Sequence, residues 1–182
     1  MLLLQSTLVV LVPAAEQLVR PYRKKYDPSA VAGMPAHITL LYPFKVPDEV
    51  SETVLHDLAE CFAHFKAFDF TLAAIRRFPH EVLYLAPEPD EPFRQLTLAI
   101  QDRFPGTLPY GGKYSNIVPH LTIAQLADEQ QVEQIVVEFA QASQGQLPIR
   151  VTATENRSDG YASRELVRPD EVRVALVCPH WS

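Results

Sequence analysis

Two short segments of this chain carry the same four-residue pattern: His37-Ile38-Thr39-Leu40 and His120-Leu121-Thr122-Ile123. In each, a polar residue alternates with an apolar one. With six histidines in 182 residues and a hydrophobic content of 47%, chance predicts well under one copy, so two copies need a cause. Side chains alternate along a strand, which puts His37 and Thr39 on one face and Ile38 and Leu40 on the other. The same holds for His120 and Thr122. The apolar pair can bury against helices while the polar pair faces a cleft. Pro35 and Pro119, just upstream, favour an extended approach to each motif.

An imidazole is the side chain best suited to trade a proton near neutral pH. Two of them on opposite sides of one reacting centre can deprotonate a nucleophile and protonate a leaving group. Threonine hydroxyls can hold a developing oxyanion. In-line displacement at a phosphodiester needs that arrangement, and its single negative charge can be held by neutral donors plus one imidazolium. The logic calls for no metal and no cofactor. One such motif alone would more often be a satisfied polar pair in a core. Two at matching places in a repeat point to function.

The elements around the motifs repeat as well. The first half reads as a strand at Thr7–Val12, a helix at Ala14–Tyr26 and the first motif strand at Pro35–Pro43. A helix from Asp48 to Phe65 and an alternating strand at Phe68–Phe78 complete it. The second half reads as strand Val82–Ala86, helix Asp90–Phe104, motif strand Val118–Ala124, helix Asp128–Ala142 and strand Ile149–Thr154, followed by a further strand at Val172–Val177. The offsets are about 75 residues for the opening strands, 83 for the motif histidines and about 81 for the closing strands. The expected fold is therefore α+β, a duplicated two-lobed fold of two βαβαβ-like halves related by a pseudo-twofold axis around a central cleft. One bilobal domain would cover residues 1–182, with repeats near 6–78 and 81–156 and a final strand at 171–178.

Composition narrows the function classes. A net charge of −6 opposes binding to duplex DNA or any long polyanion, but leaves room for a small phosphorylated ligand or a nucleic-acid end. Two cysteines, Cys61 and Cys178, make no disulfide framework and suggest a reducing cytoplasm. The apolar start lacks a basic region before it and is broken by Gln5, Ser6 and Thr7, so a buried first strand is expected rather than a leader peptide. No run reaches the length of a membrane span. A cytoplasmic monomer with no membrane partner is the expectation.

The paired motifs, their separation and the order of elements resemble the two-histidine (2H) phosphoesterase superfamily, which includes proteins labelled 2′-5′ RNA ligase-like. The likeness covers nearly the whole chain. It implies metal-independent chemistry on phosphodiesters, often 2′,3′-cyclic phosphates of nucleotides or RNA ends. On that resemblance His37 and His120 form the catalytic pair, either serving as base according to how the substrate lies, and Thr39 and Thr122 bind phosphate oxygens. The partner would be a nucleotide or a short RNA end bearing a cyclic phosphate. A non-catalytic nucleotide or phospho-ligand binding module on the same fold is the alternative.

Other residues are weaker candidates. Tyr42 and Phe44, followed by Lys45, could stack on a base or simply close the core. In Tyr110-Gly111-Gly112-Lys113-Tyr114, Lys113 and Tyr114 could contact substrate from a loop. Arg157, Tyr161 and Arg164 could form a lid. His56, Glu60 and His64 recur every fourth residue, which is metal-ligand spacing, but they lie opposite the helix's apolar stripe and read as a solvated face. A metal hydrolase built on that helix is a third reading. His80 and His180 show no partner in the sequence.

Overall fold

The computed structural model describes residues 5–79, 82–153 and 173–177. In chain order the strands and helices are β1 (Thr7–Leu11), α1 (Pro13–Tyr26), α2 (Pro28–Val31), β2 (His37–Leu41), α3 (Glu52–Ala63), β3 (Phe68–Phe78) and β4 (Val82–Glu88). They continue with α4 (Glu91–Arg103), β5 (Leu121–Gln125), α5 (Glu129–Ala142), β6 (Ile149–Ala153) and β7 (Arg173–Val177). The α+β, two-lobed expectation holds. The seven strands form one antiparallel sheet in the order β6-β3-β4-β5-β2-β1-β7.

Three local departures from the sequence reading have plain causes. Ser51, not Asp48, caps α3: its hydroxyl accepts from the Val54 N–H at 3.3 Å, while Pro47–Glu49 forms a separate 3-10 turn. The one-turn α2 was not foreseen; the Asp27 carboxylate caps it by accepting from the Ser29 N–H at 2.9 Å. The second motif strand is shorter and starts at Leu121, with His120 just ahead of it. Residues 154–156 and the ends of the expected final strand lie outside the described residues, as do His80, Arg157, Tyr161, Arg164, Cys178 and His180.

β2 and β5 meet at the middle of the sheet through one pair of residues, Ile38 opposite Leu121. These two differ by the same 83 positions as the motif histidines, so the pseudo-twofold axis runs between them. The match extends to the irregularities. Against β1, the pairing of β2 steps from Thr39 to Leu41 and leaves Leu40 as a bulge; against β4, that of β5 steps from Thr122 to Ala124 and leaves Ile123. Both bulges fall one residue after the motif threonine, and such extra residues re-aim side chains next to a site.

The helices exchange support across the axis. α1, from the first half, packs against β5, and α4, from the second, packs against β2. Thr97 of α4 donates its hydroxyl proton toward the Leu40 carbonyl at 2.9 Å. Phe93 of the same helix meets the rings of Phe68 and Phe70 edge-on at 5.3 and 5.0 Å. Ile38 and Leu121 are both 0% exposed beneath this layer. Truncating such a side chain removes its burial and leaves a cavity. Leu121→Ala is therefore expected to lower stability by about 2–5 kcal/mol, read from urea unfolding midpoints. A loss below about 1 kcal/mol would mean the central pair can be repacked freely.

Candidate active site

The central pairing decides where the motifs point. Residues directly opposite in an antiparallel pair share a face. Ile38 and Leu121 face the helices, so the neighbouring positions turn His37 and Thr39 from β2, and His120 and Thr122 from β5, to the other face. In that register each histidine stands across from the other motif's threonine, and the two histidines are diagonal neighbours, about 7–8 Å apart by strand geometry. All four side chains are half-buried.

Each imidazole is held in the same way. His37 Nδ1 lies 2.8 Å from the Pro35 carbonyl and His120 Nδ1 lies 2.8 Å from the Val118 carbonyl. A carbonyl only accepts, so Nδ1 carries the proton in both rings, and Nε2 of a neutral ring keeps its lone pair for a ligand. The approach to His37 is fixed from α1, where Glu16 accepts from the Ala36 N–H at 2.5 Å and the Val12 N–H donates to the Ala36 carbonyl at 2.8 Å.

Their surroundings differ. Behind His37 the buried Arg23 guanidinium pairs with Asp27 at 2.8 Å and donates to Ser29 at 3.1 Å. Burial is the main cause that lowers the His37 pKa from 6.5 to about 4. The Arg23 and His120 charges add to it, against the Pro35 hydrogen bond and Asp27. His120 is also lowered, again mainly by burial and against its bond to Val118. It sits edge-on to Phe78 and Tyr84, with ring centroids 5.0 and 5.5 Å away, and those two rings stack on each other at 4.5 Å. Tyr84 stands opposite Thr122 in the sheet, and Arg76 opposite Tyr84, so both share the motif face.

The weaker candidates separate. Phe44 is 7% exposed and packs edge-on against Phe104 at 5.2 Å, so it closes the core and its ring is out of reach of a ligand. Tyr42 is 44% exposed, and its carbonyl receives the Tyr110 N–H. Tyr114 meets the Tyr110 ring edge-on at 5.6 Å, with Lys113 Nζ 5.3 Å from the Tyr114 ring, so both join the rim through Tyr110. His56 pairs with Glu60 at 3.4 Å on an exposed surface and His64 bonds the Glu60 carbonyl at 2.7 Å. These three do not converge, and no group of three metal-type ligands occurs among the described residues. Phe78 and Tyr84 were missed as neighbours of the motifs. Strand alternation allows Tyr84 on the motif face, but only the pairing register makes it so.

The family model described as the 2′-5′ RNA ligase superfamily matches residues 11–156. The chain belongs to the 2′-5′ RNA ligase superfamily. Its function is of the two-histidine phosphoesterase type. A candidate phosphoesterase of Bacillus licheniformis is 34% identical over 128 residues, covering 67% of this chain and 72% of that protein. Another from Bacillus pumilus is 31% identical over 128 residues, covering 67% and 71%. Among solved structures, E. coli LigT complexed with 3′-AMP aligns at a TM-score of 0.46 and 20% identity, over 69% of this chain and 74% of that one. For this superfamily member, no helix among the described residues is long and apolar enough to cross a membrane.

Burial keeps His37 neutral where a histidine of the unfolded chain takes up a proton. Between pH 6.5 and about 4 the unfolded state therefore binds more protons. Its contribution to stability is intact above pH 6.5 and is lost as the pH falls toward 4. Urea midpoints should decline across that window, and His37→Gln should flatten the decline. Equal slopes for the two proteins would contradict this placement of His37.

Proposed function

We propose that the protein is a metal-independent phosphodiesterase that hydrolyses a 2′,3′-cyclic phosphate, or a related small phosphodiester, of a nucleotide or RNA end. The observation that carries this reading is the matched pair of imidazoles, each with Nδ1 held by a backbone carbonyl, on one face with two threonines.

Water is the nucleophile. Nε2 of one histidine takes its proton as the oxygen attacks phosphorus. The other, as imidazolium, protonates the departing ribose oxygen, and the P–O bond to that oxygen breaks. Thr39 and Thr122 donate to the non-bridging oxygens. In the free protein both histidines are biased toward the neutral form. An anionic phosphodiester supplies the charge that favours protonating one of them, so substrate and acid are recruited together. Tyr42, Tyr114 and Lys113 form an aromatic and cationic rim suited to a base and its neighbouring phosphate. The chain acts as a single bilobal unit, with repeats near 6–78 and 81–156 contributing one motif each.

A panel of nucleoside 2′,3′-cyclic phosphates and short RNAs with cyclic ends, assayed in chelator, tests the reading. Turnover should survive chelation. His37→Ala and His120→Ala should each lower kcat/KM by about 10²–10⁴-fold, the usual worth of a general acid or base. Wild-type rates in the double variant would end it, and tight binding without product would return the site to a non-catalytic module. Because both free histidines titrate below their ordinary value, kcat/KM should peak on the acid side of about pH 6.5. A peak well above that value would show that other groups carry the protons.

A further inference from the structure

Helix α1 carries a cluster of positive charge that the histidine motifs do not use. Arg20 stands three residues before Arg23 and four before Lys24, so the three share one helix face. The helix dipole ordinarily accounts for cations in a last turn, and Arg23 and Lys24 lie there. Arg20 lies a turn earlier, outside that effect. What gathers the three is a pocket of about 150 Å³ between α1 and the segment leading into β2. The cations and Glu16 line it from the helix, and Met34 and Pro35 from the segment.

Arg23 is the fixed part of this pocket. It is 1% exposed, its Nε donates to Asp27 at 2.8 Å and its Nη2 donates to Ser29 at 3.1 Å. Its Nη1 makes no hydrogen bond among the described residues. Every side-chain nitrogen or oxygen shut off from solvent there has a partner, so Nη1 keeps an opening to solvent. The pocket that Arg23 lines supplies that opening. The nearby carboxylates are already engaged. Asp27 also accepts from the Ser29 N–H and hydroxyl, and Glu16 accepts from the Ala36 N–H. Arg20 and Lys24 are exposed and have no ion-pair partner among the described residues.

A guanidinium locked in place, with one nitrogen open to a pocket and two further cations at its rim, suits a tetrahedral oxyanion. Its N–H groups match phosphate oxygens, and a donor already held rigid loses little freedom on binding. In a chain of net charge −6, this is a local positive site of the kind a phosphorylated ligand needs. The pocket also adjoins the first motif, because Pro35 in its wall offers its carbonyl to His37 Nδ1.

We propose that this pocket is an accessory oxyanion site that takes a phosphate group other than the one at the histidines, whether a further phosphate of the same ligand or a separate phosphate. It does not depend on the reaction proposed above.

Arg20→Gln/Lys24→Gln removes two exposed cations and leaves the buried pair intact. Lys25→Gln/Lys66→Gln, the comparison, removes the same charge from exposed positions outside the pocket. Both are made in a Thr39→Val/Thr122→Val background, which strips the motif hydroxyls. Inorganic phosphate is then titrated and followed by amide NMR shifts, which also locate the ion. Shifts should appear at Gly33 and Met34, and Arg20→Gln/Lys24→Gln should weaken that binding by about 5–30-fold, the worth of two partly exposed charged contacts. The comparison pair should cost less than about 2-fold. No shifts at Gly33 and Met34, or equal losses in the two pairs, would overturn the proposal. Turnover, measured with the threonines intact, identifies the source of the group. Short RNAs with cyclic ends carry further phosphates, whereas nucleoside 2′,3′-cyclic phosphates carry only the cyclic one. A kcat/KM preference for the RNAs that falls in Arg20→Gln/Lys24→Gln assigns the pocket to the substrate's own further phosphate. An unchanged ratio, with phosphate bound at Gly33 and Met34, assigns it to a separate phosphate. Absence of all turnover would overturn the reaction, and the binding result would still decide the pocket.

Discussion

The pairing of Ile38 with Leu121 holds the two lobes in register. Among the described residues it is the only pair that joins β2 to β5, and both side chains are fully buried. Because strand side chains alternate, burying this pair on the helix side turns the histidines and threonines to the opposite face together. A slip of one residue in either strand would send one motif into the core and its apolar partners into the cleft. The penalty for unpaired imidazole and hydroxyl groups in an apolar layer makes that slip costly. One hydrophobic contact thus sets the geometry of a polar site.

The helices reinforce the constraint by crossing the axis. α1 supports β5, and α4 supports β2 and bonds the Leu40 carbonyl, so neither motif strand rests solely on its own half. The bulge after each threonine repeats this symmetry at finer scale. Separating the halves would strip each motif of the helix beneath it. Strands of both halves accordingly share one sheet.

The symmetry fails at the sheet edges, where β3 and β6 both lie beyond β4, and again around the histidines. His37 has a buried Arg23–Asp27 pair behind it, and His120 has the stacked rings of Phe78 and Tyr84 beside it. A guanidinium opposes a second positive charge, whereas aromatic faces tolerate one. Duplication set two equivalent imidazoles in place, and divergence around them made their environments unequal. Unequal environments are what acid–base division of labour requires.

The motifs, the duplicated order of elements and the shared face within each motif were all legible in the sequence, because strand alternation and amphipathic periodicity are local properties. His37, Thr39, His120 and Thr122 needed no coordinates to be named. The register that brings them together, the third-strand arrangement in which β3 lies beside β4 and β6, and the helix exchange came only from tertiary structure. So did the fate of the aromatics: Phe44 turned inward against Phe104, while Tyr110, beside two glycines, takes a left-handed backbone and donates its N–H to the Tyr42 carbonyl. Local pattern records which face a side chain can take. Which distant residue meets it there is settled by long-range pairing and packing, which leave no periodic trace in the chain.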